Sequence, residues 1–392
     1  MRIVDIEPIW VQCENIDVGR ADSTQDALFV RVVTDEGVVG IGEADTPPEV
    51  GRAIIQMASS HAVARGLADL LIGQNPLEID RLWHEMFDCT YTFGRTGAVL
   101  HVMSGIDMAL WDIAGKVAGV PVSELLGGAR VSTIPVYASE VMPSTPAEVE
   151  TLVQHALRSG FNALKLGWGP LGADVGLDVE LIQTARAALG PARRLMIDLG
   201  MRGTVKSTLR LLDLVGDADL FWLEEPLRWD DYDGYRRLSA ATPVRIATGE
   251  AHSTVAPFRE LAAIGHVDVL QPDLARCGGF TVARRVADLQ REFSVEIVPH
   301  CFASGVSIAA CLHYVATLDR PLMTEFPIAA SPLTRDVIGN PFTLENGHVG
   351  VPSGPGLGVS LDMELIEQMR GDTRRPEAQH QEASLRAMRT LQ

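Results

Sequence analysis

The chain has 392 residues, 46% of them hydrophobic, and a formal net charge of −18 at pH 7. This length exceeds what a single simple core usually holds, so we expect one large domain with a smaller companion. The strongly negative charge excludes nucleic acid and membrane surfaces as partners, because the electrostatic contribution that dominates such binding would be repulsive.

The cysteines and the start of the chain indicate the compartment. Five cysteines are present, none with the short paired spacing of zinc or redox sites, and the count is odd. We interpret them as buried free thiols in a reducing compartment. Residues 1–7 alternate like a strand and lack the layout of a signal peptide, and no apolar run is long enough to span a membrane. We therefore expect a cytoplasmic protein.

The first third of the chain predicts a small α+β unit. Residues 27–34 and 38–43 are typical of two strands joined by a turn at 35–37. The polar loop 14–24 before them is longer than a hairpin needs, which leaves two interpretations open, a binding lid or a merely mobile loop. Helical periodicity follows in three segments, 49–72, 77–88 and 94–118.

Beyond residue 128 the pattern changes to apolar runs that recur roughly every 25 residues, each followed by a helical pattern. Eight runs are recognisable, at 133–137, 162–166, 195–198, 220–224, 244–247, 267–270, 295–298 and 322–325. This alternation predicts the α/β class with a closed parallel barrel. An open dinucleotide-binding fold is disfavoured, since no Gly-x-Gly-x-x-Gly follows the first run. From residue 341 the chain becomes irregular, rich in Gly and Pro, and ends in a polar helical pattern.

Three successive apolar runs end on a carboxylate, namely Asp198, Glu224 and Glu250. Any one of these acids could equally be a helix N-cap or a solvated surface residue. Barrel symmetry, however, brings the carboxyl ends of three successive strands to one mouth, where uncompensated acids repel and raise each other's pKa. A hard divalent cation removes this cost, and three carboxylates suit Mg²⁺ best. The pattern predicts one Mg²⁺ per subunit.

Four further polar residues end predicted strands: Lys165, Asp273, His300 and Glu325. An acid one strand away from a histidine can fix its tautomer and raise its basicity, so we interpret Asp273 and His300 as a catalytic pair. A structural role for His300 is the simpler alternative. Lys165 could either pair with an acid of the metal cage or contact a substrate carboxylate. The role of His252 stays open.

Longer motifs resemble a known family. They are SGIDMALWDIAGK at 104–116, LLGG at 125–128, EEP at 224–226, PD at 272–273 and RCGG at 276–279. Together with His300, in this order, they are similar to the enolase superfamily and its mandelate racemase subgroup. The resemblance covers nearly the whole chain.

The resemblance implies a modified (β/α)₇β barrel with an N-terminal α+β capping domain that the C-terminal segment completes. The expected division is 1–125, 126–340 and 341–392. Asp198, Glu224 and Glu250 match the Mg²⁺ ligands, and Asp273 with His300 matches a catalytic dyad. Glu325 matches an acid that hydrogen-bonds the substrate carboxylate, and Lys165 a lysine that contacts it. A homo-oligomer is also implied.

Two positions depart from the subgroup's pattern. The subgroup usually carries Lys-x-Lys on the second barrel strand, whereas this chain has Lys165-Leu166-Gly167, and glycine cannot take a proton. Gly200 stands where many relatives place an asparagine. A two-base racemase of that kind would therefore lack one base.

The resemblance implies Mg²⁺-dependent removal of the proton α to a carboxylate. Our leading hypothesis is a lyase that dehydrates a sugar acid to a 2-keto-3-deoxy acid, since one base suffices. The alternatives are a racemase or epimerase that uses Lys165, a less favoured cycloisomerase, and remotely a non-catalytic barrel. Substrate identity, whether mono- or diacid, stays open, as do the roles of Trp168 and Arg20.

Overall fold

The computed structural model describes residues 1–371, so the predicted polar tail lies outside the described residues. The first third contains strands β1–β3 and helices α1–α5: β1 Ile3–Gln12, β2 Asp26–Thr34, β3 Val39–Ala44, α1 Pro48–Gln56, α2 Leu67–Leu71, α3 Ile79–Thr90, α4 Ala98–Ala118 and α5 Val122–Leu125.

Strands and helices then alternate. The elements are β4 Thr133–Val141, α6 Pro146–Arg158, β5 Ala163–Gly167, α7 Val175–Leu189, β6 Arg194–Asp198, α8 Val205–Leu214, β7 Leu220–Glu224, α9 Tyr232–Ser239, β8 Ile246–Thr248, α10 Val255–Glu260, β9 Val269–Leu270, α11 Gly279–Ala287, α12 Leu289–Phe293, β10 Glu296–Ile297, α13 Gly305–Thr317 and β11 Thr324–Pro327. The last described elements are β12 Leu344–Glu345, β13 His348–Gly350 and α14 Met363–Gln368.

The first sheet is an antiparallel meander in the order β1-β2-β3. Helix α4 packs closely on β3, and two glycines of that strand make the approach possible. A Cβ atom on Gly40 would lie 2.0 Å from the carbonyl oxygen of Ala109, and one on Gly42 would lie 2.0 Å from that of Gly105. Any larger residue at these positions would separate the helix from the sheet.

The eight predicted barrel strands are all present, and they run parallel. Their order is β11-β4-β5-β6-β7-β8-β9-β10, and the short antiparallel pair β13-β12 adds to β4. The predicted α/β class with a barrel domain is confirmed. Among residues 1–371, no helix has both the length and the apolar character needed to cross a membrane.

The barrel interior is filled by one buried side chain from each strand or its immediate flank. They are Tyr137, Ala163, Met196, Trp222, Ala247, Val269, Val298 and Met323. This layer is the floor beneath the carboxyl ends of the strands, so a ligand there would meet a packed core and not a pore.

The predicted helix at 49–72 is wrong in its middle. Two helices, α1 and α2, flank a non-helical stretch at 57–66. Met57 is extended, with φ −61° and ψ 141°, and a Cβ atom on Gly66 would lie 1.8 Å from the Met57 carbonyl oxygen. Glycine therefore lets the chain fold back on itself where the periodicity alone would continue the helix.

Two buried acids of the first third cap helices of the barrel. Glu43 accepts hydrogen bonds from the amides and hydroxyls of Ser304 and Ser307, at 2.6–3.1 Å, at the start of α13. Asp107 accepts the amide of Thr281 at 3.0 Å and its hydroxyl at 2.6 Å, in the first turn of α11. These contacts satisfy backbone donors that a helix start leaves without partners.

The C-terminal segment contacts both parts of the molecule. Strand β13 pairs with β4, and the amide of Leu357 donates to Asp112 Oδ1 of α4 at 2.8 Å. The amide of Gly371 donates to the Trp10 carbonyl oxygen at 3.1 Å. The predicted division at residues 125 and 340 stays a prediction.

Candidate active site

The polar residues predicted at strand ends lie at one mouth of the barrel, although not all at the last strand residue. Asp198 and Glu224 end β6 and β7. Glu250, Asp273 and His300 lie two or three residues beyond β8, β9 and β10, which are shorter than predicted. Lys165 and Glu325 lie within β5 and β11. All seven are buried.

Asp198, Glu224 and Glu250 converge, and one carboxylate oxygen from each lies within 4.8 Å of the others. Two of the acids are oriented by donors: the Gly200 amide donates to Asp198 Oδ1 at 2.8 Å, and Trp222 Nε1 donates to Glu224 Oε2 at 2.9 Å. Glu250 Oε2 is buried and accepts no hydrogen bond. Three oxygen ligands with an orphaned oxygen among them fit a hard divalent cation.

The electrostatics of the trio point the same way. Burial, and then the neighbouring Glu224 carboxylate, raise the pKa of Asp198 well above its ordinary value. Burial also raises the pKa of Glu224, although the Lys165 ammonium opposes this shift. The repulsion that raises the pKa of Asp198 is a cost that a bound divalent cation would offset.

A dyad faces the trio. His300 Nδ1 lies 2.6 Å from Asp273 Oδ2, and the Ala275 amide donates to Asp273 Oδ1 at 2.7 Å. Nδ1 therefore donates to the carboxylate, and Nε2 points to Glu250 Oε2 at 3.4 Å. Burial alone would lower the pKa of His300, but the carboxylates of Glu250 and then Glu325 outweigh it and raise the pKa to about 10.

Lys165 pairs with two acids. Its Nζ contacts Glu224 Oε1 and lies 2.8 Å from Glu325 Oε1. Burial alone would lower the pKa of Lys165, but the two carboxylates outweigh this effect, and the pKa of Lys165 lies well above its ordinary value. Burial raises the pKa of Glu325, while Lys165 and His300 lower it to about 2. Lys165 is thus a cation here, and Glu325 an anion that cannot donate a proton while both neighbours stay charged.

Arg276 is a residue that the strand-end pattern did not single out. Its guanidinium lies between the two parts of the chain, with Nε 2.7 Å and Nη2 2.6 Å from Asp45 Oδ2. Nη1 lies 3.3 Å from Glu250 Oε1, and Nε lies 3.6 Å from Asp273 Oδ2. Arg276 belongs to the RCGG motif, which could have drawn attention to it. Its partner Asp45 follows β3, and no local sequence pattern connects these two residues.

A cavity of about 300 Å³ opens above these residues. The 14–24 loop contributes Ala21, Asp22 and Ser23 to its wall, as the lid interpretation requires. The Ser23 hydroxyl donates to the Phe302 carbonyl oxygen beyond β10. Trp168 also lines the cavity. The volume is at the small end of the range for ligand pockets, about 300–1,000 Å³.

Two residues left open by the sequence lie outside the cavity wall. His252 is buried against the rings of Trp229, Tyr232 and Phe258, at centroid distances of 6.0–6.1 Å. Arg20 is half exposed, and its Nη2 lies 3.3 Å from Glu140 Oε1 and 3.4 Å from Asp22 Oδ2.

Comparison with known proteins matches both parts of the chain. Residues 14–127 match the mandelate racemase / muconate lactonizing enzyme N-terminal domain, and residues 148–365 match the enolase C-terminal domain-like family. The chain belongs to the enolase superfamily. The sequence resemblance is thereby confirmed, and so is the capped-barrel fold that it implied.

Several superfamily members are similar over nearly their whole length. A D-galactarolactone cycloisomerase of Agrobacterium fabrum is 34% identical over 357 residues, which cover 88% of this chain and 91% of that protein. A D-galactonate dehydratase of Ralstonia nicotianae is 34% identical over 375 residues, covering 91% and 95%. The crystal structure of the 3,6-anhydro-D-galactonate cycloisomerase from Zobellia galactanivorans has a TM-score of 0.85 at 33% identity, covering 94% and 99%.

Proposed function

We propose that this protein is a Mg²⁺-dependent lyase that removes the proton α to the carboxylate of a sugar acid and eliminates water from the β position. One observation carries the proposal: an Asp-paired imidazole faces a trio of buried carboxylates across one small cavity, with His300 Nε2 3.4 Å from Glu250 Oε2. Relatives named D-galactonate dehydratase add support.

Asp198, Glu224 and Glu250 would hold the Mg²⁺ ion. When bound, the ion offsets the negative charge that a substrate carboxylate gains as its α proton leaves. Mg²⁺ added to chelator-treated protein is expected to raise the melting temperature, because it relieves the repulsion within the trio and binds the native state alone. Glu250→Gln should lose this shift, and an unchanged melting curve for the wild type would contradict the metal site.

The remaining residues have separate tasks. His300 acts as the base in its neutral form: a cation held by the trio would offset the Glu250 charge that raises the pKa of His300, and Nε2 would then accept the α proton while Asp273 holds Nδ1 in the donor state. Lys165 binds the substrate carboxylate as a cation, since two carboxylates keep its proton in place. Glu325 lies next to both Lys165 and His300. It would donate a hydrogen bond to the substrate carboxylate after gaining a proton, which requires the charges of these two neighbours to change when the substrate binds.

His300 then returns its proton to the departing hydroxyl. Among residues 1–371, the β5 side of the cavity offers no second base beyond the paired Lys165, because Gly167 stands where the subgroup usually has a lysine. The enol that forms becomes a 2-keto-3-deoxy acid. Atoms balance, since the proton taken from the α carbon leaves as part of the water.

Replacement of His300 tests the proposal. His300→Asn should abolish turnover of a sugar-acid panel, read as release of keto acid, while the Mg²⁺-induced thermal shift persists. Exposed His84, on α3, provides the matched control, and His84→Asn should retain full activity. Retained dehydration in the His300 variant would reject the assignment.

A cycloisomerase is the second candidate, because two of the similar proteins bear that name. The same base and cation would act on a cyclic sugar acid or lactone. Incubating linear and cyclic substrates separately discriminates the two. A racemase is disfavoured by the ion pairs of Lys165; deuterium wash-in at the α carbon in D₂O without loss of water would revive it.

Two further expectations belong to this proposal. We expect a cytoplasmic enzyme that forms a homo-oligomer and has a small-molecule carboxylate as its partner. Light scattering on the purified protein tests the oligomeric state, and cell fractionation tests the location.

A further inference from the structure

We infer that the cavity selects monoacids, that is, sugar acids whose far end is a neutral hydroxymethyl or hydroxyl group, and rejects the diacids of the same configuration. The inference rests on the proposed function and deepens it. It concerns the wall of the cavity away from the carboxylate trio, where neither the sequence motifs nor the relatives decide the matter.

The orientation of the substrate follows from where the charges lie. The inner end of the cavity holds the Lys165 ammonium and the trio that would hold Mg²⁺, and these two cations would attract one carboxylate. The outer wall is formed by the 14–24 loop, which crosses the mouth. At one side the Ser23 hydroxyl donates to Phe302 beyond β10, and at the other Arg20 contacts Glu140 on β4. A sugar acid bound by its carboxylate therefore directs its far end towards this loop.

The outer wall carries acids. Asp22 comes from the loop, and Glu140 comes from the end of β4. Their side chains are only 8% and 12% exposed. Thr24 donates to Asp22 Oδ1 from its amide at 3.0 Å and its hydroxyl at 2.7 Å, and the Val141 amide donates to Glu140 Oε1 at 2.9 Å. Both acids are thus held in place against the cavity, flanked by the hydroxyls of Ser23 and Ser139.

Among residues 1–371, no basic side chain of the cavity wall is available to bind a second carboxylate. The basic residues that line the cavity there are Lys165, Arg276 and His300. Lys165 and His300 belong to the inner end. The Arg276 guanidinium already contacts Asp45 through two nitrogens and Glu250 through the third. Arg20 is outside the wall, half exposed, and pairs with Asp22 and Glu140 themselves.

The two classes of substrate would meet this wall differently. A terminal hydroxyl donates a hydrogen bond to a carboxylate, and such charge-assisted bonds are strong. A terminal carboxylate would lose its hydration and face two acids at close range, which is unfavourable in a buried site. Specificity would thus come from repulsion of the wrong substrate as well as from attraction of the right one.

The experiment compares pairs of acids that share configuration and differ only at the far end, such as D-galactonate with galactarate and D-gluconate with D-glucarate. Wild-type protein with Mg²⁺ is expected to favour the monoacid in kcat/KM by at least about a hundredfold. The Asp22→Asn/Glu140→Gln double variant keeps the oxygens that accept from Thr24 and Val141 and loses the Asp22 oxygen that Arg20 contacts. It should reduce the preference for the monoacid at least about tenfold. Exposed Glu14, in the same loop, gives the matched control, and Glu14→Gln should leave the preference unchanged.

The outcomes separate this inference from the proposed function. Comparable or preferred turnover of a diacid would overturn the inference and leave the lyase intact. The inference would also be overturned if Arg20→Ala reversed the preference while the double variant kept the wild-type preference. Arg20 would then be the residue that determines selectivity. Absence of turnover on both members of every pair would overturn the proposed function, and the inference with it.

Discussion

Gly167 and Gly200 shape the site because they have no side chains. A Cβ atom on Gly167 would lie 2.6 Å from Asp198 Cβ, and one on Gly200 would lie 2.9–3.1 Å from the indole ring of Trp168. Gly200 also has φ +55°, a conformation that other residues rarely adopt. The indole, which lines the cavity, thus occupies the space that a side chain at position 200 would need.

Restoring the missing lysine should not restore a second base. In Gly167→Lys the new side chain would displace Asp198, so the apparent Mg²⁺ affinity is expected to fall at least about tenfold. Calorimetric titration with Mg²⁺ measures this loss. Gly350→Lys is the control, because a Cβ atom there meets nothing within 4 Å. A Gly167→Lys variant with normal Mg²⁺ affinity and new α-proton exchange in D₂O would refute this reading of the site.

At this scale, sequence could identify residues that follow a strand pattern and could not identify partners from distant segments. The trio and the dyad were visible because each followed an apolar run. Asp45, by contrast, looks like an ordinary turn acid, and only the folded chain brings it to Arg276. Its role depends on a contact across 231 positions of sequence.

Among the helices, α13 links the barrel to the C-terminal segment through a buried histidine. His313 Nε2 lies 3.0 Å from the Leu357 carbonyl oxygen, and Nδ1 is buried without a hydrogen-bond partner. Burial lowers the pKa of His313 to about 4, although the bond to Leu357 opposes this shift. His313 is therefore neutral in the native protein at physiological pH.

This depressed pKa predicts a loss of stability in acid. In the unfolded chain His313 takes up a proton below about pH 6.5, whereas in the native protein it does so only near pH 4. The stabilisation due to neutral His313 is therefore fully present above this window and is lost as the pH falls through it. At about 1.4 kcal/mol per pKa unit, the loss attributable to His313 is about 3 kcal/mol. Urea unfolding of wild type and His313→Gln between pH 7 and about 4 measures it.

The variant should show a shallower pH dependence than the wild type. The control His84→Gln, at an exposed site of α3, should keep the wild-type slope. Identical slopes for wild type and His313→Gln would show that another group is responsible.

Helix boundaries show where sequence periodicity reaches its limit. The 21-residue α4 was predicted almost completely, because its apolar residues recur over the whole length and Gly119 ends it with φ +71°. The 57–66 interruption was missed, since its cause is the fold-back at Gly66 and not a change in composition. Tertiary packing, which periodicity cannot report, decides such breaks.

For the whole molecule, the acids that cap barrel helices make the two parts of the chain interdependent. Burial raises the pKa of Glu43 to about 7, although the hydrogen bonds from Ser304 and Ser307 oppose this shift. Glu43→Ala would leave four buried donors without a partner, and we expect it to lower the free energy of unfolding by about 3–5 kcal/mol.

Urea unfolding measures this effect. Glu150→Ala, at an exposed position of α6, is the control and should change stability by less than about 0.5 kcal/mol. Glu43→Gln should fall between the two, since its amide oxygen still accepts. A Glu43→Ala variant as stable as the control would mean that water replaces the lost acceptor.

The same shared caps bear on recombination between relatives. A chimera that joins the first third of one homologue to the barrel of another would take the two acids from one parent. The serines and the threonine that donate hydrogen bonds to these acids would come from the other parent. Such hybrids should assemble only when position 43 is matched to 304 and 307, and position 107 to 281. Exchanging substrate-recognising loops alone, with these five positions untouched, is the safer route to altered selectivity.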